Sequence, residues 1–305
     1  MADVMHEIQK VKLDCEQKNM RMAAELTDWT FKRIVNEIED IIEEDKKVKH
    51  SYIQSKIESG LDNEAVISQF LQRHPGIQSS FLEYPLPIQV QSGNNLQVNK
   101  FEVDSSDDKL NSQAVYINVC GKFCEMSAMA SRTLLVDPKP EQKQAYMVAY
   151  DALETLVSSL EVGKPISAAY TAAKNLIMQS NANLNLPPSF GFGIGFNYKE
   201  RQLMIKADNE TLVEAGMTFH VRVALSGISK EPARSIVAIG DTVLISELGT
   251  PNRQLTSGIQ KSYAEISYSL EESEEAAKKE ESKEKKQSRE PKTDSTKKTA
   301  GKKVG

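Results

Sequence analysis

Residues 113–136, QAVYINVCGKFCEMSAMASRTLLV, decide how the rest of the chain is read. Both halves are rich in β-branched and apolar residues, and Gly121-Lys122 precedes the middle, so the stretch reads as two antiparallel strands joined by a hairpin. A turn near Phe123 and Cys124 sets Asn118 opposite Met129, which lets the two side chains share a face.

Upstream of the hairpin, PIQVQSG and the alternating LQVNKFEV read as further strands, separated by SGNN and SSDD turns. Before them, Val4, Ile8, Val11, Met22, Leu26, Trp29, Ile34, Ile38 and Ile41 recur three or four apart. This spacing predicts one long helix, or two joined near residues 18–20. Its end, EIEDIIEED, faces acids outward, with Glu43 and Lys47 spaced as a supporting pair. A second helix is expected from Asp62 or Asn63 to the His74-Pro75-Gly76 stop. Downstream, Asp137-Pro138 ends the sheet segment, and two helices follow, one with Tyr146, Ala149, Leu153, Leu156 and Leu160 on a stripe and one over residues 165–179. Strands then return in FGFGIGF, LMIKAD, GMTFHVRVAL and SIVAIGDTVLIS. Helices, strands, helices, strands is the order of an α+β domain with two similar halves.

The 305 residues carry a net charge of −5, with 39% hydrophobic and 27% charged residues, enough to bury a sizeable core. The segment from Ser269 on is slightly basic and has no aromatic residue, so it reads as a disordered linker. The folded part is therefore more acidic than the total, a poor match to DNA phosphates. DNA contact is expected to be weak or confined to the basic end, residues 297–303, which also fits a nuclear import signal. Cys15, Cys120 and Cys124 show no CxxC spacing, which fits reduced thiols in a cytosolic or nuclear setting. Neither a membrane span nor a signal peptide is expected, so the reading is of an intracellular soluble protein.

The usual signatures of chemistry are missing. His6, His50, His74 and His220 are scattered without ligand spacing, and no GxSxG elbow occurs. GFGIGF lacks the GxGxxG spacing and a Walker lysine; its alternate glycines mark a strand that another backbone or a ligand approaches closely.

The hairpin ending in SRT, then SFGFGIGFNYKE, LVEAGMTFHV and AIGDTVLI, stand in an order that resembles the pita-bread fold of methionine aminopeptidases, aminopeptidase P and creatinase, over residues 23–256. The resemblance implies helices packed on a curved antiparallel sheet in two pseudo-symmetric halves. In metal-dependent members two aspartates, a histidine and two glutamates hold two metal ions. Here those positions fall on Asn118, Met129, Phe192, Arg222 and Gly240, and none supplies a carboxylate or imidazole. A second histidine of the peptidases corresponds to Lys199, while Glu200 beside it is kept. The implication is an inactive aminopeptidase-like domain with no catalytic residue, no metal and no cofactor.

Among such relatives the chain resembles the N-terminal domain of the large subunit of the FACT histone chaperone, through AELTDWTFKR, EEDKKVKHS, SRTLLVDP, GFGIGF and GDTVLI. This divides the chain into an N-terminal helical extension (1–22), where the family's small lobe is absent or reduced, an aminopeptidase-like domain (23–268) and a charged linker (269–305). The resemblance implies a nuclear, chromatin-associated module that binds histones H3–H4, with H2A–H2B as further candidates and the other FACT subunit engaged through regions outside this chain. Phe192, Lys199, Glu200 and Arg222 are candidates for lining a peptide or histone cleft. Alternatively, Phe192 and Met129 fill an emptied cavity, Arg222 pairs with Asp241 and binding uses the outer surface. A metallo-aminopeptidase of altered mechanism and a subunit scaffold are the competing functional classes.

Overall fold

The computed structural model describes residues 7–180 and 184–269. By contacts the chain divides into Met1–Tyr268 and Ser269–Gly305; the first unit is the subject below. The expectations for Val4, His6 and the charged segment from residue 270 on lie outside the described residues.

Three helices open the unit, α1 (Asp14–Glu43), α2 (His50–Glu58) and α3 (Glu64–Arg73). The long helix is a single one. It runs unbroken through residues 18–20 and starts only at Asp14, because Val11 is drawn into a bridge with Met217. Its end also differs from the expected Glu43–Lys47 pair: the helix stops at Glu43, Asp45 turns at φ 45°, and Lys47 pairs with Asp45 at 2.5 Å. The α3 boundary follows its cap, since the Asn63 side chain accepts the Ala65 N–H at 3.0 Å.

The described strands form one sheet: β1 (Leu82–Glu83), β2 (Gln89–Ser92), β3 (Ala114–Phe123), β4 (Met126–Val136), β5 (Gly191–Gly193), β6 (Thr218–Ser226), β7 (Ile236–Leu244), β8 (Arg253–Gln254) and β9 (Ser267–Tyr268). Its order is β1-β3-β4-β7-β6-β5, with β2 also on β3, β8 on β7 and β9 on β4. All these pairings are antiparallel except β4 with β9. Between the two strand groups lie α4 (Pro140–Ser159) and α5 (Ile166–Ser180).

The hairpin turns one residue later than expected. Phe123 pairs with Met126, so Asn118 stands opposite Ser131 and Met129 opposite Cys120. Cys124 and Glu125 both take positive φ, 44° and 67°, the two-residue geometry whose twist matches the strands it joins. Gly121 serves another need: a Cβ there would lie 2.7 Å from Thr27 Oγ1 of α1. That hydroxyl accepts from the Gly121 N–H and donates to the carbonyls of Ala23 and Ala128, so the helix sits directly on the hairpin.

Two expected strands are absent. LQVNKFEV lies in a strap, residues 93–112, that crosses one face of the sheet, because its polar groups are claimed from below. Gln89 Nε2 donates to the carbonyls of Lys100 and Val103, and Gln91 Oε1 accepts from Gln97 N–H. LMIKAD instead follows a short 3₁₀ turn, and Asn209 Nδ2 ties its start down through the carbonyls of Gln202 and Met204.

The main core lies on the other face. Ile117, Val119, Ala130, Leu134, Val221, Val223 and Ile239 meet Phe31, Ile34 and Ile38 of α1 and Tyr146, Ala149 and Leu153 of α4. Of the glycines of FGFGIGF, Gly191 marks the close backbone approach that the spacing suggests, while Gly193 and Gly195 make room for the side chains of Leu203, Glu200 and Lys12. Gly191 sits at φ 131°, and a Cβ on it would run into the His220 carbonyl oxygen. Gly191→Ala is expected to cost on the order of 3 kcal/mol, overpacking added to backbone strain, measured by urea unfolding.

Candidate functional site

The strap face of the sheet gathers the positions singled out from sequence. Because directly opposed residues share a face, the register lays one row across five strands: Gln89, Asn118, Ser131, Gly240 and Arg222. The neighbouring row runs from Cys120 and Met129 to Thr242, His220 and Phe192. Thr242 Oγ1 joins its halves, accepting from Met129 N–H and donating to the Met129 carbonyl, both at 2.8 Å. Asn118, Met129, Phe192, Arg222 and Gly240 therefore come together on one face.

The neighbouring row is filled, whereas in the first row Asn118 Nδ2 and Oδ1 and Ser131 Oγ are buried without a hydrogen-bond partner. Met129, Cys120, Met126, Met20, Phe101, Phe192 and Ile194 pack as one apolar cluster. Phe192 lies edge-on to Phe101, with ring centroids 5.3 Å apart, and Lys199 Nζ stands 5.4 Å over the Phe192 ring. Over Gly240 there is no room for a side chain: a Cβ would meet Ser131 Oγ at 2.8 Å and His220 Cε1 at 2.9 Å.

Arg222 reaches up to the strap. Its guanidinium donates to the Val98 carbonyl at 2.6 Å and Asn99 Oδ1 at 3.1 Å, and lies 5.4 Å and 5.7 Å from the rings of Phe101 and Tyr116. The expected partner Asp241 is on the opposite face, held by Arg132 at 2.7 Å with both side chains fully buried. Strand alternation separates them, since Asp241 neighbours Gly240 and so points away from Arg222.

His220 has no ligand spacing to the other histidines in the sequence, but its place two residues before Arg222 on a strand puts both on one face. Its Nδ1–H donates to the Met129 carbonyl at 3.2 Å, which fixes the tautomer, since a carbonyl only accepts. Burial, reinforced by the charge of Arg222, pushes its pKa down to about 3, so the ring is neutral. Glu200, beside Lys199, faces Lys12 at 2.7 Å. Burial pushes the Lys12 ammonium down and Glu200 up, against their mutual attraction. The strap residues Val98, Asn99 and Phe101 and the Lys12 contact carry no local sequence signal.

The sequence matches the model of metallopeptidase family M24 over residues 18–247, three quarters of the chain. The chain belongs to metallopeptidase family M24. Within M24 it is similar to FACT complex subunit SPT16 of Zea mays, 28% identical over 281 residues, 88% of this chain but 26% of the relative. The SPT16 of Arabidopsis thaliana is also 28% identical, with 25% of its length covered. The chain thus spans about a quarter of the curated relatives it matches. Among solved structures, the N-terminal domain of FACT complex subunit SPT16 from chickpea superposes with a TM-score of 0.75 at 26% identity, covering 85% of this chain and 61% of that one. Prolidase from Pyrococcus furiosus gives 0.67 at 19% identity over 85% and 69%, a likeness of fold. The M24 fold is therefore that of an α+β domain shared with prolidase and the SPT16 N-terminal domain.

The M24 name implies metal, and the side chains on this face do not fit a pair of hard divalent ions. At the five positions an amide, a thioether, a phenyl ring and a guanidinium offer no anionic oxygen and no imidazole, Arg222 adds positive charge, and His220, the imidazole of the neighbouring row, has no carboxylate in that row. Among the described residues, no three His, Cys, Asp or Glu side chains stand together as a metal cluster.

Proposed function

We propose that this chain is a non-hydrolytic M24 domain serving as a histone-binding module of a FACT-type chaperone, in the nucleus and on chromatin. The observation that carries the reading is the pair of rows on the strap face. The five positions where the resemblance implies metal ligands converge as Asn118, Met129, Phe192, Arg222 and Gly240, with Met129 and Phe192 packed into one apolar cluster and no room for a side chain at Gly240. The scaffold of a peptidase is kept while the groups that would activate water are replaced. Similarity to SPT16 N-terminal domains supplies the chaperone setting.

Electrostatics agree with a basic partner. The whole chain carries −5 and residues 269–305 are slightly basic, so Met1–Tyr268 is the more acidic part and attracts histones at long range. H3–H4 is the expected partner, with H2A–H2B the comparison. The full chain is expected to retain H3–H4 in a pull-down, with binding that weakens as salt rises. Weak binding at every salt concentration would favour a scaffold role instead.

The place of binding is a separate question. Phe192, Glu200 and Arg222 are buried beneath the strap and neighbouring loops, so a cleft-bound peptide must displace one of these covers. Arg222→Glu tests this: a folded variant with unchanged H3–H4 affinity assigns binding to the outer surface.

A further inference from the structure

Glu200 is the one carboxylate among the candidate cleft residues, and the chain occupies it with its own lysine. Lys12 Nζ lies 2.7 Å from Glu200 Oε1, with side-chain exposures of 1% and 5%, and Oε2 is buried without a hydrogen-bond partner. Two glycines make the fit possible. A Cβ on Gly193 would come within 2.9 Å of Oε2, and one on Gly195 would run into Lys12 Cε.

The segment that delivers Lys12 is lightly held. Its ties are the Lys12 N–H to the Gly216 carbonyl at 2.9 Å, the bridge between Val11 and Met217, the partly buried Val11 side chain against the edge of the main core, the Gln17 side chain on the Lys12 carbonyl, and the rim pair Lys10–Glu214 at 2.8 Å. The next residue, Leu13, is 64% exposed. A stretch with so few buried contacts opens locally at far less than the cost of global unfolding.

We infer that Glu200 is a receptor for a primary ammonium, filled in cis by Lys12, and that a lysine side chain of a partner peptide replaces it when residues 10–13 lift. An ammonium carries three donors, whereas Lys12 gives Glu200 one bond and sends another, at 3.3 Å, to the Lys10 carbonyl. An incoming ammonium can engage both Oε1 and the orphaned Oε2, which gives it an advantage over the resident group. The inference rests on the reading of the domain as a binding module and adds the chemistry of what it binds.

The test uses the full chain and three probes: Ac-Ala-Lys-Ala-NH2, the same peptide acetylated on its lysine, and Ala-Ala-Ala-NH2 as a source of α-ammonium. Lys12→Ala is expected to bind the first probe about tenfold more tightly than the unaltered chain, because the competitor in cis is gone. Adding Glu200→Gln should abolish the gain. Equal affinity in the two chains, equal affinity for the acetylated probe, or preference for the α-ammonium probe would overturn the proposal. If Lys12→Ala does not fold, hydrogen exchange at the Lys12 amide of the unaltered chain decides. Acceleration by the lysine probe and none by its acetylated form supports the assignment, and no difference overturns it. H3–H4 affinity measured on the same preparations keeps a failure here separate from a failure of the chaperone reading.

Discussion

Replacing Arg132 with leucine is expected to lower the unfolding free energy of this domain by about 3–5 kcal/mol, read from urea transitions of the full chain. Arg132 is completely buried and serves five groups at once, the Ile259 carbonyl at 3.4 Å among them. It donates to Asp241 Oδ1 at 2.7 Å and to the carbonyls of Ser131 at 2.8 Å, Gly240 at 2.6 Å and Gln260 at 3.0 Å. Without it, Asp241 keeps Thr256 Oγ1 at 2.9 Å and Lys261 Nζ at 3.9 Å, too little to offset a charge taken out of water. Adding Asp241→Leu should recover only part of the loss, because four carbonyls still lack the Arg132 donor. Full recovery would mean that the carbonyl bonds contribute little and that the pair is a matter of charge alone.

The second large effect depends on pH. Asp28 of α1 is buried, with Oδ2 accepting the Gly258 N–H at 2.9 Å and Oδ1 without a hydrogen-bond partner. Burial raises its pKa to about 7, the Gly258 hydrogen bond working against the shift. A carboxyl whose folded pKa lies above its unfolded value binds more protons when folded. Its contribution is therefore fully present below about pH 4 and is lost as pH rises through about 7, approaching 1.4 kcal/mol per pH unit. His220 pulls the other way. Its folded pKa of about 3 lies below the ordinary 6.5, so between those values the unfolded chain binds more protons and stability rises with pH. The two slopes oppose each other over much of the range, so the informative quantity is the difference between the unaltered chain and Asp28→Asn. The variant should gain steadily on the unaltered chain from about pH 4 to pH 7, measured by unfolding at a series of pH values. A flat difference would show that Asp28 is solvated in solution.

How much of this was legible in the sequence follows from the range over which each signal acts. Apolar spacing marked α1 and α4 because a helical stripe is local, and cap and stop residues marked α3. The hairpin turn was misplaced by one residue, since Gly121 answers to α1 and not to the turn; yet the resulting shift of two in pairing keeps every side chain on its face. That parity is why Asn118 and Met129 still fall together. Motif order reached the fold as well, since each motif sits on its own strand or loop. What stayed hidden was long-range. Arg132 and Asp241 are 109 residues apart, and Lys12 and Glu200 are 188 apart. Alternation alone made LQVNKFEV look like a strand, while the side chains that hold it as a strap, Gln89, Gln91 and Arg222, lie outside it.

The central claim is that an M24 scaffold is kept here for recognition, with the groups for hydrolysis replaced. The most direct test is to titrate the purified chain with cobalt, manganese and zinc by calorimetry, and to assay the same samples against X-Pro dipeptides. The account predicts no stoichiometric metal binding on the strap face and no turnover above solvent background with any of the three. Two tightly bound ions per chain with metal-dependent cleavage would contradict it.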